Sequence, residues 1–433
     1  MNLFKKIYCR TYQTVFKLAI PILPYRDPEI LDSILKIPEV LKRNKKDNVL
    51  IVTDKSIHSL GLIEPLKKAL NEENISYTVY DEVVPNPTIK NVEEARGIYI
   101  EKGCNALIGF GGGSAIDCAK AVGARIVRPK KEIAKMKGIL KIGKKLPFTM
   151  GVPTTAGTGS ETTVTTVITD DVTRHKFPIS DLVVIPDVAV HDPELTKSLP
   201  KHIAATTGMD VLTHAIEAYI GRSTVKETRA DALTAARLVA ENLEIICENS
   251  DNRDGRANML RASYLAGRAF SKSYVGYCHG VAHALGGKYN IPHGLANAVL
   301  LPYVLESYGS VINKKLKDIA IAMHIADKTT PSHKAAEFLI NKIKEMNRNL
   351  GIPTKLKGIC AEDIPEFAGC AEKESNPLYP VPVLMTAKEL EKFFYDVMEV
   401  KNDKKRNSEN SGKSKEVLRV IRHPADKKQN RVS

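Results

Sequence analysis

Between residues 27 and 198 short apolar runs alternate with stretches of helical period, and this alternation constrains the fold more than any other feature of the chain. Residues 48–54 (NVLIVTD), 76–84 (SYTVYDEVV) and 105–110 (NALIGF) are too short for typical helices and mostly rich in β-formers. Helical spacing fills the gaps at residues 62–72 and 91–102. Strands alternating with helices predict an α/β unit, a parallel sheet with helices on both faces. Residues 164–170 and 176–179 read as a hairpin inserted into that layer. After residue 200 the pattern becomes a succession of amphipathic helices, including 204–219, 226–249 and 258–272, with no strand-like alternation. Four segments follow: a basic N-terminal extension (1–26), an α/β domain (27–198), an all-α domain (199–400) and a Lys-, Asn- and Ser-rich tail (401–433). Residues 402–416 of that tail are expected to be disordered, with a short strand or helix at 416–422.

The formal charge of +14 suggests a nucleic-acid binder until it is located. Residues 1–26 contribute five of these charges and residues 401–433 contribute seven, so residues 27–400 carry only +2. A near-neutral body with basic ends is not a DNA-reading surface, and the ends are expected to be solvated tails. Seven scattered cysteines without a CxxC pair fit reduced thiols in a cytoplasm rather than a disulfide framework. No apolar run reaches the ~18–20 residues of a membrane span, which predicts a soluble chain. Arg10, Lys17 and Pro21 break the apolar stretch that a secretory signal would need, although residues 11–24 retain the pattern of a segment lying on a membrane surface.

Polar signatures follow each of the three predicted strands: Asp54, then Pro85-Asn86-Pro87-Thr88, then Gly111-Gly112-Gly113-Ser114. A parallel sheet gathers them at its carboxyl edge, where such folds bind ligands. Glycines let backbone N–H groups approach a phosphate, and residues 114–126 supply a helix whose N-terminus favours an anion. The segment is neither GxGxxG nor a P-loop, and taken on its own an ordinary tight turn is the stronger reading. Asp54 suits an adenosine ribose hydroxyl and would repel a 2′-phosphate, favouring NAD(H) over NADP(H); capping of the next turn is the competing reading. Residues 153–161 (PTTAGTGSE) add hydroxyls and glycines after a further strand.

Asp210 and His214 stand four apart in a helical stretch and share a face. His279 and His283 repeat that spacing, and His293 follows a Gly-Gly break. Five such groups in two short segments are hard to explain by core packing, because buried imidazoles need partners. Three histidines and a carboxylate suit a divalent ion such as Fe²⁺ or Zn²⁺, and the fourth histidine is then a proton carrier near neutral pH.

The ordered segments GGGSAIDCAK, PTTAGTGSE, GMDVLTHAIEAY and HGVAHALGGKYNIPHG resemble the iron-dependent (group III) alcohol dehydrogenases, as do DPELTKSLP and NPLYPVPVLMTAKEL. The similarity runs from about residue 27 to 401 and implies a Rossmann-like N-terminal domain, a helical metal-binding domain and a cleft between them, as in the dehydroquinate synthase-like architecture. By that resemblance Asp210, His214, His279 and His293 match the metal ligands. His283 matches the non-ligand histidine that relays protons. Asp54, Asn86, Gly112, Gly113, Ser114, Thr154, Thr155, Thr158, Thr163 and Lys176 match positions lining the dinucleotide. The implied reaction is reversible hydride transfer between NAD(H) and an alcohol or aldehyde, with Fe²⁺ or sometimes Zn²⁺. Short aliphatic substrates such as butanol are the default, with diols and lactaldehyde next, and a homodimer or larger homo-oligomer is expected. The alternatives are a dehydroquinate-synthase-like lyase and a non-catalytic metal- and nucleotide-binding protein.

Overall fold

The computed structural model describes residues 1–173 and 176–399. The tail from 401, with the disorder and the short element expected there, lies outside the described residues. The strands are β1 (Glu29–Leu31), β2 (Asn48–Val52), β3 (Ser76–Tyr80), β4 (Ala106–Gly111), β5 (Gly138–Ile139), β6 (Phe148–Pro153), β7 (Thr165–Thr169), β8 (Lys176–Ser180) and β9 (Val188–Val190). Six of them form one parallel sheet in the order β1-β9-β6-β4-β2-β3.

Helix α1 (Leu3–Ala19) precedes this sheet, and α2 (Ile37–Arg43), α3 (Lys55–Ser59), α4 (Glu64–Glu72), α5 (Ile89–Glu101) and α6 (Gly113–Val127) connect its strands. The apolar runs are continuous because both faces are covered. Val49 and Ile51 of β2 pack with Ile37 and Leu41 of α2 and Leu66 of α4, whereas Leu50 and Val52 pack with Val92 of α5 and Val122 of α6. Strand order reverses around β2, with β3 on one side and β4 on the other, so a crevice opens at their carboxyl ends.

Two expectations need correction. The hairpin β7–β8 exists, but it joins β5 in a separate three-stranded sheet rather than entering the main layer. Both edges of β6 are taken by β4 and β9, so the hairpin instead lies against α6, where Val167 donates its N–H to Asp117 Oδ2 at 2.9 Å. The N-terminal extension, expected as a solvated tail, is helical over Leu3–Ala19 and docked on the helical half. Cys9 enters that half's core, and Gln13 donates to the carbonyl of Tyr379 at 2.8 Å.

The second half comprises α7 (Lys201–Ile220), α8 (Lys226–Glu248), α9 (Arg253–Ser273), α10 (Tyr277–Tyr289), α11 (His293–Tyr308), α12 (Asn313–Ala322), α13 (Ser332–Asn349), α14 (Ile364–Ser375) and α15 (Ala387–Val397). The stretch His293–Ala322 is long and apolar enough to cross a membrane, but most of it is buried among the other helices.

Candidate active site and metal centre

At the carboxyl edge, Asp54 ends the β2 segment and caps α3, its Oδ1 accepting from the N–H groups of Ser56 and Ile57 at 2.9 and 3.1 Å. Asn86 sits in the left-handed region (φ 62°) and donates its N–H to Ser114 Oγ at 3.2 Å, pinning the β3 loop to the start of α6. A Cβ on Gly113 would lie 2.7 Å from Thr158 Cγ2, so only glycine lets the 153–161 loop cross the α6 N-terminus. Thr154 donates its N–H to the carbonyl of Gly111 at 2.9 Å, and Thr155 lies beside Gly112. The structure thus gathers Asp54, Asn86, Gly112, Gly113, Ser114, Thr154, Thr155 and Thr158 around one helix N-terminus, with open α6 N–H groups suited to a pyrophosphate.

Two other residues that match dinucleotide positions lie away from the α6 N-terminus. Thr163 is buried, and its hydroxyl accepts from the ammonium of Lys120 at 3.0 Å. Lys176 reaches α10, its Nζ 3.4 Å from where a Cβ on Gly286 would stand, and burial lowers its pKa.

The metal-type residues converge from three helices. Asp210 and His214 stand on α7, His279 on α10 and His293 at the start of α11, and one donor atom from each lies within 4.8 Å of the others. A Cβ on Gly294 would come within 2.5 Å of the carbonyl of Thr206, so glycine allows α11 to press its N-terminus onto α7. Burial, then neighbouring histidines, holds His214, His279 and His293 well below the usual imidazole range, keeping them neutral. Burial pushes the Asp210 carboxyl up to about 7. The Nε2 of His279 is buried without a hydrogen-bond partner while its Nδ1 meets Glu217 Oε2 at 2.6 Å. Three neutral imidazoles, one carboxylate and an orphaned buried lone pair fit a divalent ion.

His283, one turn after His279, is half-buried and stacks on His293 at a centroid distance of 5.0 Å. Its Nδ1 meets Glu374 Oε1 at 2.6 Å, which leaves Nε2 facing away from the carboxylate. Burial alone would lower its pKa, but the Glu374 carboxylate raises it overall.

Both halves match one family: residues 31–193 match iron-containing alcohol dehydrogenase, and residues 204–398 match the Fe-containing alcohol dehydrogenase family, C-terminal part. The 1,3-propanediol dehydrogenase of Citrobacter freundii is 36% identical over 367 residues, 84% of this chain and 94% of that one. The chain belongs to the iron-containing alcohol dehydrogenases. The NAD-dependent methanol dehydrogenase of Bacillus methanolicus is 34% identical over 345 residues, 78% of this chain and 90% of that one. A crystal structure of 1,3-propanediol oxidoreductase superimposes with a TM-score of 0.83 at 34% identity, covering 86% of this chain and 99% of that one. The protein is therefore an iron alcohol dehydrogenase that uses NAD and a small alcohol substrate, and the lyase and non-catalytic alternatives fall away.

Three further residues of this dehydrogenase's centre escaped the sequence reading. Glu217 accepts from His279 and from the N–H groups of Gly276 and Cys278, both at 2.8 Å. It lies three residues beyond His214, on the same helix face, and that spacing was the available signal. Asn297 stands one turn after His293 and donates to Asp210 Oδ1 at 2.7 Å. Glu374 arrives from α14, and no spacing links it to His283.

Proposed function

We propose that this alcohol dehydrogenase interconverts short-chain primary alcohols and their aldehydes, butanol and butanal first, with NAD(H) preferred over NADP(H), in a cytoplasm and as a homo-oligomer. The carrying observation is the convergence of four metal-type donors and the Glu374-held His283. Asp54 supports the nicotinamide preference: one carboxylate oxygen is committed to the α3 cap, and the negative charge beside Gly111 disfavours a 2′-phosphate. Five of the seven cysteines are buried and free, in keeping with a reducing compartment.

Asp210, His214, His279 and His293 would hold the iron, and a bound ion of this kind supplies Lewis acidity toward the alcohol oxygen. Glu217 fixes the His279 ring by accepting from Nδ1, so that Nε2 is presented to the cluster. The α6 N-terminus and Gly113 receive the dinucleotide's phosphates, while Asp54 is placed for a ribose hydroxyl. His283 moves the alcohol proton toward solvent through its Nε2, the Nδ1–H remaining on Glu374.

The test is NADH absorbance with anaerobically iron-loaded enzyme and a panel of short aldehydes. Steady chelator-sensitive loss, fastest near butanal, is expected. Turnover with NADPH in place of NADH would overturn the Asp54 argument, and a panel without any turnover would overturn the substrate class. His283→Ala should lower turnover with iron retained, whereas His279→Ala should lose iron.

A further inference from the structure

Helix α1 is apolar on two faces: inward Phe16 packs on Tyr274 at a centroid distance of 4.8 Å and Ile20 is buried, and a second apolar face points outward. Inward it offers Cys9 and Gln13 to the helical half, and Arg10 clamps the carbonyls of Val381 and Pro382 at 2.7 and 2.9 Å. Outward, Phe4, Ile7, Tyr8, Val15 and Leu18 recur at helical spacing along one stripe, and Ile22 continues it. Phe4 is 85% exposed, Leu18 69% and Ile22 83%, values that make no sense for a helix folded to hide its apolar side. Lys6 and Lys17 flank the stripe, and residues 1–26 contain no acid. At the helix's C-terminal end Lys17, Arg229 and Arg222 lie close enough to Lys315 to depress its pKa, after burial, and outweigh Asp318, so cations predominate on the neighbouring surface. Two acids border the flank: Glu372 is paired with Lys5, and Glu389 is bound to its own helix cap at Thr386, with Lys6 close enough to lower its pKa further. This helix also lies outside the residues that match the family, so the shared fold does not explain it.

Charge identifies what covers the stripe. The chain's own residues 401–433 carry +7 and are repelled from it. A second copy packed stripe to stripe about a two-fold axis would oppose lysines to lysines. We propose that α1 docks this dehydrogenase on an anionic phospholipid surface, with Phe4, Ile7 and Leu18 entering the headgroup–acyl boundary and Lys6 and Lys17 meeting the lipid phosphates. Gln13 and Arg10 hold the helix on the body, so the whole enzyme is carried to the membrane with its crevice intact.

The experiment is flotation of iron-loaded enzyme with vesicles of phosphatidylcholine alone or of equimolar phosphatidylcholine and phosphatidylglycerol. Enzyme is expected to float with the anionic vesicles, to be released by salt, and to bind the neutral ones about tenfold less. The variant Phe4→Ser/Ile7→Ser/Leu18→Ser changes only exposed side chains, so alcohol oxidation should be unchanged while vesicle binding falls about tenfold. Lys6→Gln/Lys17→Gln should remove the preference for anionic lipid. Failure to float, or flotation unaffected by the triple substitution, overturns the proposal. A change of mass by light scattering in the triple variant, without vesicle binding by the parent, assigns the stripe to a second copy and overturns it as well.

Discussion

At the scale of single residues, the proton path proposed at His283 has two ends with opposite needs. His283 must be able to give up the proton it receives, yet its Nδ1 is tied to a carboxylate that stabilises the charged ring. The Glu374 oxygen lies 2.6 Å from that nitrogen, and Tyr379 donates to the same oxygen at 2.6 Å. In Glu374→Gln the ring loses its anionic partner while keeping an acceptor, so its orientation should survive. The expected result is a 10–100-fold lower kcat for alcohol oxidation with iron content unchanged, as for other partners of site residues. The sign of the pH effect follows from the raised pKa of His283. Oxidation needs the neutral ring, so activity rises with pH through that pKa; removing the carboxylate lowers it, and the acidic limb of the profile should move to lower pH. A limb that stays in place or moves upward would show that Glu374 does not act on His283.

At the scale of elements, the 153–161 loop and its continuation join the two halves of the crevice. Thr158 lies against Gly113 at the start of α6, and Gly159 donates its N–H to Ser263 Oγ of α9 at 3.1 Å. What holds this segment is Lys120, a fully buried ammonium from the second turn of α6 that donates to the carbonyls of Ser160, Thr163 and Thr165 at 3.0, 2.9 and 2.7 Å. Lys120→Met fills similar volume but leaves those carbonyls without their donor, a loss of about 2–4 kcal/mol. Chemical denaturation should show an unfolding free energy lower by that amount and a correspondingly lower midpoint, together with a raised KM for NADH; an unchanged midpoint would mean the carbonyls find other donors. The parts of the site that chain spacing encodes were legible beforehand: the helix pairs Asp210/His214 and His279/His283, and the glycine turn after β4. The bond from Lys120 to Thr163 was not legible, because a hydroxyl in a Gly/Thr-rich loop carries no mark of which way it points. The β7–β8 hairpin was recognisable as a hairpin, but its sheet was not, because which strand edges remain open depends on β4 and β9. Glu374 was invisible because α14 meets α10 only through the tertiary packing of the helical half.

At the scale of the molecule, the two halves divide the work unequally. All four candidate metal donors stand on α7, α10 and α11, so among the described residues this cluster takes no donor from the α/β half, and an ion held there would belong thermodynamically to the helical half. Two buried imidazoles, the half-buried His293 and a carboxylate crowd together there, and without an ion the His279 Nε2 lone pair is left orphaned. Metal binding is then folding free energy for these helices. Free metal at about a hundred times its Kd should stabilise the protein by about 2.7 kcal/mol, read as a higher midpoint in thermal unfolding. The effect should weaken in acid, with the sign set by Asp210. Its carboxyl titrates at about 7 in the metal-free site, and only the carboxylate binds metal, so affinity should fall about tenfold per pH unit below that value. Calorimetric scans with and without chelator, repeated across this pH range, test both statements together. The decisive control is His293→Ala: it removes one donor from the edge of the cluster while leaving the α/β half untouched, so the metal-induced shift should vanish and the shift caused by NADH should remain. A metal shift of full size in that variant would mean the ion is bound elsewhere than on these three helices.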